Sequence, residues 1–597
     1  MKKTILLIAI LITGLLAAQT PSSTMKGYYL QKVGDSVVGQ NSRPDKAFFD
    51  LYNYMKERGI KKGIVTSPYW EINIDYPDTT TTQPPVVEPP KDTTIVEPPK
   101  VSDVFVFNPD EYGIVQGKVN DSIALDNRNK LQAAIDEAHK IGDSLGFKPT
   151  FKIPAMDAYF NANSRTDNRG DKPRMAVEGI VVPSNMTIEM SDDTYLRVQP
   201  NDRAFYNLFI LWDVDNVTIR GGHLIGDKYE HDYITAIAYN GVDRSTHEYG
   251  FLIAMYGAHN VIIDNVDMKD ATGDNIIEGI KWIRNADGTI TDGNKTCENI
   301  YIRNCNISGA RRNNISIVDS GATTYIYNNN IKNAGEGEGS GHGWWGTPPR
   351  ANIDLECTRT RLEDGTLAEY ARVEYVDIFD NIFSGAVNKD IVLYTCSFVK
   401  IYNNKGTRGI YNYAAHDVEI YSNYMESEGG TGMGIALQQY TIGATGEQLC
   451  YNYKVYGNTL KGFQYGIGIS LKDAEVYGNT YIDNTNIGLS IGAGAENIYV
   501  HDETITSTSP NSFGVRNWIT STEATDIKLE RLKVNTVKCA LRLEGFKGLG
   551  SGMTITDSEF KATDDSDVRV VWSSNIQVSN SVYSDVVNRD NTNVIIP

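Results

Sequence analysis

The chain has 597 residues and a formal charge of −19, which argues against a nucleic-acid-binding surface, since that needs clustered Lys and Arg. Its aromatic residues are mostly Tyr (35, against 17 Phe and 7 Trp), a bias that suits strands or sugar-facing surfaces. Six cysteines, Cys297, Cys305, Cys357, Cys396, Cys450 and Cys539, are spaced neither as a disulfide framework nor as a zinc site. They are expected to be buried small hydrophobes.

Met1-Lys2-Lys3, an apolar run from Thr4 to Leu16 and the small pair Ala17-Ala18 read as a signal peptide over residues 1–18. A secreted, periplasmic or cell-surface location follows. No later segment approaches the roughly 20 apolar residues of a membrane span. Residues 19–76 form a small N-terminal segment, with a helix expected from Pro44 to Arg58 on the spacing of Phe48, Leu51, Tyr52 and Met55. No function is assigned to it. Residues 77–102 are rich in Thr, Pro and Glu, and Val87-Glu-Pro-Pro-Lys91 recurs as Val96-Glu-Pro-Pro-Lys100, the composition of an extended linker.

Residues 103–597 have one architecture. They open with a helix over Leu125–His139, whose Leu131, Ala134, Ile135 and Ala138 make an apolar face able to cap a solenoid. A short strand then recurs around an aliphatic anchor: Ile188, Ile219, Ile263, Ile302, Ile326, Ile378, Ile401, Ile420, Val455, Val476, Val500, Ile527, Ile555 and Val578. Such a repeat indicates an all-β, parallel β-helix with an N-terminal capping helix, roughly 65 Å long at the usual strand spacing. Three residues after the anchor stand Asn329, Asn381, Asn404, Asn423, Asn458 and Asn479. Asn tolerates left-handed turns, and stacked amides can bond rung to rung. One residue after the anchor stand Tyr327, Phe379, Tyr402, Tyr421, Tyr456 and Tyr477, pointing outward either as a stacking ladder or as a sugar platform.

A second strand follows several anchors. Ile277, Ile315, Ile353 and Ile391 lie 38 residues apart and are expected to face the core. Asp354 and Glu356 then face solvent, about 6.5–7 Å apart on one strand, near the inverting range of glycoside hydrolases. Neighbouring coils add Asp274 and Glu278 on one side and Asp390 and Tyr394 on the other, while Arg311, Arg312 and Arg350 lie at strand entries. Crowded carboxylates raise at least one pKa, and Arg holds others ionised. One acid could then protonate a leaving oxygen while another carboxylate attacks or activates water. A solvated ladder of carboxylates and Arg is the alternative. A Gly-rich loop from Gly335 to Gly346 carries His342, Trp344 and Trp345. The Trp pair is expected either to stack on pyranose rings or to pin the loop, and His342 to act as acid/base, sugar donor or positioning residue.

The helix ending Leu131-Gln-Ala-Ala-Ile-Asp-Glu-Ala138, the segment Val182-Pro-Ser-Asn-Met-Thr-Ile188 and Asn216-Val-Thr-Ile-Arg-Gly-Gly-His-Leu-Ile-Gly-Asp227 resemble the cap and first coils of secreted right-handed β-helix proteins. That group includes polygalacturonases, pectate-lyase-like enzymes and phage tailspikes, and the likeness covers about residues 105–400. Within it, Gly273-Asp274-Asn275 stands where polygalacturonases have Gly-Asp-Asp, and Arg311-Arg312-Asn313 replaces Gly-His-Gly. Tyr249-Gly250-Phe251 replaces Asn-x-Asp, and no Arg-x-Lys follows. The Asp354-x-Glu356 pair is similar to the alternate-position acids of iota-carrageenases.

Three readings follow. A glycoside hydrolase acting on an acidic polysaccharide would use Asp354 and Glu356 as its acid/base pair, with Asp274 and Glu278 in support, and would need no cofactor. Arg311, Arg312, His342, Trp344, Trp345, Arg350, Asp390 and Tyr394 would bind the substrate. A lyase acting on a uronate polymer would use Arg311 or Arg312 to neutralise the substrate carboxylate and Tyr394 or a basic group to take the C5 proton, with Ca²⁺ held by acidic side chains. A tailspike-like adhesin would bind glycan without chemistry.

Overall fold

Alternating aliphatic and polar residues give strands with one apolar edge, and that edge is buried when each repeat stacks on the last. In the computed structural model the chain divides into two compact units, Met1–Lys100 and Val101–Pro597. The structure describes strands within 29–75 and residues 103–163, 178–233, 247–281, 295–319, 322–335, 346–357, 373–439, 450–517 and 522–597.

In the first unit the described residues form a four-stranded antiparallel sheet, in the order Ser36–Asn41, Tyr29–Val33, Lys62–Thr66, Glu71–Asp75. Gly34-Asp35 between the first two strands is a hairpin signal that the helical periodicity downstream overshadowed. The helix expected over 44–58, the leader 1–18 and the linker 77–102 lie outside the described residues.

The second unit is a right-handed parallel β-helix of three long sheets with 14, 15 and 17 strands. The capping helix runs Asp121–Leu145, longer at both ends than expected. Asn120 caps it by accepting the Ile123 N–H at 3.0 Å, and Gly146 ends it at φ 74°, the left-handed turn that glycine takes without strain. Leu131, Ala134, Ile135 and Ala138 join the first-rung core.

The anchors pair in register from Ile188 through Ile219, Ile263, Ile302 and Ile326 to Val578. One differs: Leu529, not Ile527, sits between Val500 and Ile555. Both residues face inward, so alternation alone could not separate them. All six cysteines are buried.

The Asn column is a continuous ladder. Each side-chain amide donates to the carbonyl of an anchor on the preceding rung and to the Asn oxygen of the next, as in Asn404 to Ile378 O at 2.9 Å and Asn423 Oδ1 at 3.0 Å. The left-handed residue is the one before it, as at Asn328, Asp380 and Asn403 with φ 55°. That turn swings the ladder amide inward. The aromatic column stacks at 4.8 Å with rings within 5° of parallel from Tyr327 to Tyr477. Inner rings have both faces covered by neighbours and present only edges to solvent. It is a stacking ladder, not a platform for pyranose faces.

Beyond Asn479 the ladder ends on Glu503, whose Oε1 accepts from the Asn479 amide at 2.9 Å and backbone N–H at 3.2 Å. Burial pushes the Glu503 carboxyl up to about 8. A folded-state value above the ordinary glutamate range gives stability that is present in acid and lost as pH rises through about 8. Glu503→Gln continues the ladder with an amide and removes that titration. The thermal midpoint of the wild type is expected to fall relative to the variant's between pH 5 and 8.5. Identical pH dependence in the two proteins would show that Glu503 does not titrate there.

Candidate active site

The strand Ile353–Glu356 pairs with Ile315–Val318 on one side and Ile391–Tyr394 on the other. Ile353 and Leu355 are fully buried in the core, so Asp354 and Glu356 project from the outer face; Asp354 is nevertheless buried there and does not face solvent as expected. The inward column is Ile276, Ile315, Ile353 and Ile391, not Ile277. Ile277 instead packs outside the coil with Val181, Ile210 and Ala254. A slip of one residue reverses every side chain of a strand, so Glu278 points inward. It is fully buried, with both oxygens 3.0 and 3.1 Å from the Thr324 hydroxyl. Glu278 does not belong to the outer acids.

Arg312 organises the rest. Its Nη1 lies 3.1 Å from Asp274 Oδ2, and its Nη2 lies 3.0 Å from Glu356 Oε2 and 3.6 Å from Asp354 Oδ2. Glu248 approaches its Nε at 4.0 Å, a partner that no sequence spacing indicated. Asn313 fixes two of the acids: its N–H donates to Asp274 Oδ1 at 2.8 Å and its amide to Asp354 Oδ2 at 3.1 Å. Thr347, on the far side of the Gly-rich loop, donates to Glu248.

Burial pushes the carboxyls of Asp274 and Asp354 up, against the pull of Arg312, and for Asp354 the nearby Glu356 and Asp274 add to the rise. Burial opposes the charge on Arg312, but its ring of carboxylates holds it firmly protonated. Asp354 is 1% exposed, whereas the Glu356 side chain keeps 33%. The site holds a carboxyl biased towards its protonated form beside a more open carboxylate clamped by Arg.

Other expected members lie elsewhere. Arg311 is buried behind the site, donating to Thr272 O at 2.8 Å and His247 O at 2.7 Å over the Tyr233 ring. Of two adjacent Arg at a turn, only one can face the outer acids. Asp390 is fully buried and accepts the N–H groups of Thr407, Arg408 and Gly409 at 2.7, 2.7 and 3.1 Å. It ends a second amide ladder, Asn275–Asn314–Asn352, and burial holds its carboxyl at about 6. Its oxygens are committed to the coil, not to a substrate. Arg350 is half-buried with φ 58° at the bend before the Asp354 strand. His342, Trp344 and Trp345 lie outside the described residues.

Tyr394 pairs in register with Glu356 and is half-exposed. The next rung adds Tyr411 and Tyr413, which the sequence reading missed. Tyr413 lies 6.2 Å from Tyr394 and 4.6 Å from Tyr411, ring to ring, and is 40% exposed. The Tyr411 hydroxyl donates to Gln438 Oε1 at 2.7 Å. Unlike the stacked column, these rings are tilted to one another, and Lys389 lies over the Tyr411 ring at 5.6 Å. Tyr411-Asn412-Tyr413 alternates aromatics at the end of one strand, with Tyr413 just beyond it, which was the available signal. Among the described residues no group of three His, Cys, Asp or Glu side chains is arranged to hold a metal ion, and no helix is long and apolar enough to cross a membrane.

No family model matches the chain. It is 31% identical over 323 residues to the uncharacterized protein YclG of Bacillus subtilis, a match covering 52% of this chain and 50% of that protein. It is 29% identical over 316 residues to the SPbeta prophage-derived uncharacterized protein YorA of the same organism, covering 52% and 49%. The chain thus spans about half the length of the curated relatives it matches. Among solved structures it is similar to the tailspike protein of E. coli bacteriophage HK620 in complex with a pentasaccharide, with 13% identity, 76% of each chain covered and a TM-score of 0.44. It is also similar to the A-module of the mannuronan C-5 epimerase AlgE6 of Azotobacter vinelandii, with 10% identity, 80% and 99% coverage and a TM-score of 0.34.

Arg312→Met leaves the buried acids without their cation. The fold is expected to lose about 3–5 kcal/mol at neutral pH. Carboxyls whose folded values lie above the ordinary range stabilise in acid and lose that contribution as pH rises, and removing Arg312 raises them further. The deficit in denaturant unfolding should therefore be smaller at pH 4 than at pH 7. A deficit independent of pH would mean that Asp274 and Asp354 are not held by Arg312.

Proposed function

We propose that this protein binds and processes a polysaccharide on the outer face of the sheet that carries Asp354, by acid/base hydrolysis of glycosidic bonds. The observation that carries the reading is the asymmetry of the Asp354–Glu356 pair. Burial and two neighbouring acids favour the protonated Asp354, a proton donor for a leaving oxygen, while Arg312 clamps the more exposed Glu356 at 3.0 Å, a carboxylate able to activate water or attack. Tyr394 and Tyr413, one and two rungs away, offer apolar ring surface for the adjoining sugar. The lyase reading loses its neutralising cation, because Arg312 is already shared by three carboxylates and Arg311 is buried on backbone carbonyls.

One observation favours a second reading, a glycan-binding surface without chemistry: Asp354 reaches solvent with 1% of its surface. A single assay on the full chain separates the two. Uronate-containing, sulfated and neutral polysaccharides are incubated with the protein, and products are read both as new reducing ends and as the ultraviolet absorbance of unsaturated uronate. Reducing ends without that absorbance are expected. Glu356→Gln and Asp354→Asn should each lower their release at least ~100-fold, within the usual contribution of an acid/base group. Binding with no release would establish the adhesin reading, and absorbance would establish elimination.

A further inference from the structure

The outer column that contains Asp354 continues along the sheet in unbroken register. Asp354 pairs with Val392, then follow Tyr411, Ala436, Gly468, Ser490 and Arg516. Arg542 and Arg569 occupy the next two rungs. Three guanidinium side chains thus leave the same position of three consecutive strands, about 4.8 Å apart at the backbone. Arg516 stands six rungs from Asp354, about 29 Å along the axis. In a chain of formal charge −19 this is a concentrated positive patch.

The patch is under-compensated. Glu544 serves two of the three: Arg542 Nη2 donates to its oxygens at 2.9 and 3.0 Å, and Arg569 Nε at 3.1 Å. Among the described residues Arg516 makes no ion pair; it lies over the Phe513 ring at 4.8 Å, with Arg542 over the same ring at 5.0 Å. Lys538 adds a fourth cation, 5.9 Å from that ring. The acids of the adjoining turn, Asp564 and Asp565, are exposed, and their backbone N–H groups bond Val537 O and Lys538 O. Arg542 Nε and, one rung before Arg516, Ser490 Oγ are buried without a hydrogen-bond partner. Like charges stacked rung on rung repel, and nothing in the coil requires them, since the same column carries Val392, Ala436 and Gly468 elsewhere. An anion lying across the column would relieve the repulsion and accept from the planar guanidinium forks.

We propose that Arg516, Arg542 and Arg569 form a subsite for the anionic groups, carboxylate or sulfate, of the polysaccharide. The inference rests on the proposed function for the identity of the polymer as a glycan, and it adds a substrate class and a second point of attachment. Ala436 and Ser490 are buried, so the polymer meets this face at its two ends, the part-exposed Glu356 and the aromatics at one and the Arg stack at the other.

Native affinity electrophoresis of the full chain tests this in gels carrying polygalacturonate, a sulfated galactan or neutral dextran. Retardation by one or both anionic polymers and not by dextran is expected, and which one retards distinguishes carboxylate from sulfate. Raising salt should weaken it. Arg516→Gln/Arg542→Gln/Arg569→Gln should lower the affinity at least tenfold. Arg516→Gln alone breaks no ion pair to a described residue, so it should keep the wild-type melting midpoint and still weaken retardation several-fold. Wild-type retardation in Arg516→Gln, or no retardation of the wild type by either anionic polymer, would overturn the subsite. A protein that binds these polymers through the column yet cleaves none counts against the catalytic reading and leaves this one standing.

Discussion

Parallel register between neighbouring rungs is the constraint on which the rest of the molecule hangs. Side chains alternate faces with a period of two, so burying Ile353 and Leu355 leaves Asp354 and Glu356 no choice of side. Each rung inherits its register from the one before through parallel hydrogen bonds. Like groups therefore stack on like: amides on amides from Asn329 to Asn479 and rings on rings from Tyr327 to Tyr477. For amides and rings the stack satisfies donors and buries faces. For Arg516, Arg542 and Arg569 it brings together groups that repel, and that contrast marks the Arg stack as something other than architecture.

The anchor column was legible because most rungs present a single aliphatic pair flanked by polar residues. It failed at Ile527 and Leu529, both inward on one strand, where alternation gives two equal answers. The site column failed for a related reason. Ile276 and Ile277 are adjacent, so one faces in and one out whichever register is chosen, and a repeat spacing of 38 favoured the wrong one. The residue before each inward Ile held the answer. Asn275, Asn314 and Asn352 precede Ile276, Ile315 and Ile353, and they form the amide ladder that sets the turn. Arg311 and Arg312 pose the same ambiguity without such a marker. Which guanidinium enters the acid cluster is decided by the turn and by carbonyls of a distant segment, Thr272 and His247.

Burial divides the carboxyls into two kinds. Glu503 and Asp390 each end an amide ladder, and Glu503 Oε1 and both Asp390 oxygens accept from backbone N–H groups or Asn amides. They are needed because the last amide in a stack has donors that must go somewhere. Asp274, Asp354 and Glu356 end no ladder. They converge on one guanidinium from one strand and one strand entry, and their geometry is kept by Asn313, which bonds to Asp274 and Asp354 at once.

The coil would close without that cluster. In the column that Asp354 occupies, the flanking rungs carry Ile277 two strands before and Val392 one strand after, both buried apolar side chains. A hydrophobic residue at position 354 would pack against Val392, with Ser316 between it and Ile277, and buried ion clusters are often no more stabilising than apolar side chains of similar volume. Keeping three carboxyls and a guanidinium there carries a desolvation cost that the fold does not demand. The cost falls beside the part-exposed Tyr394 and Tyr413 rings, on the same register column as the under-compensated Arg stack. The proposed binding of an extended, charged sugar polymer would account for placing that cluster on the face where aromatic rings and surplus positive charge lie along one register column.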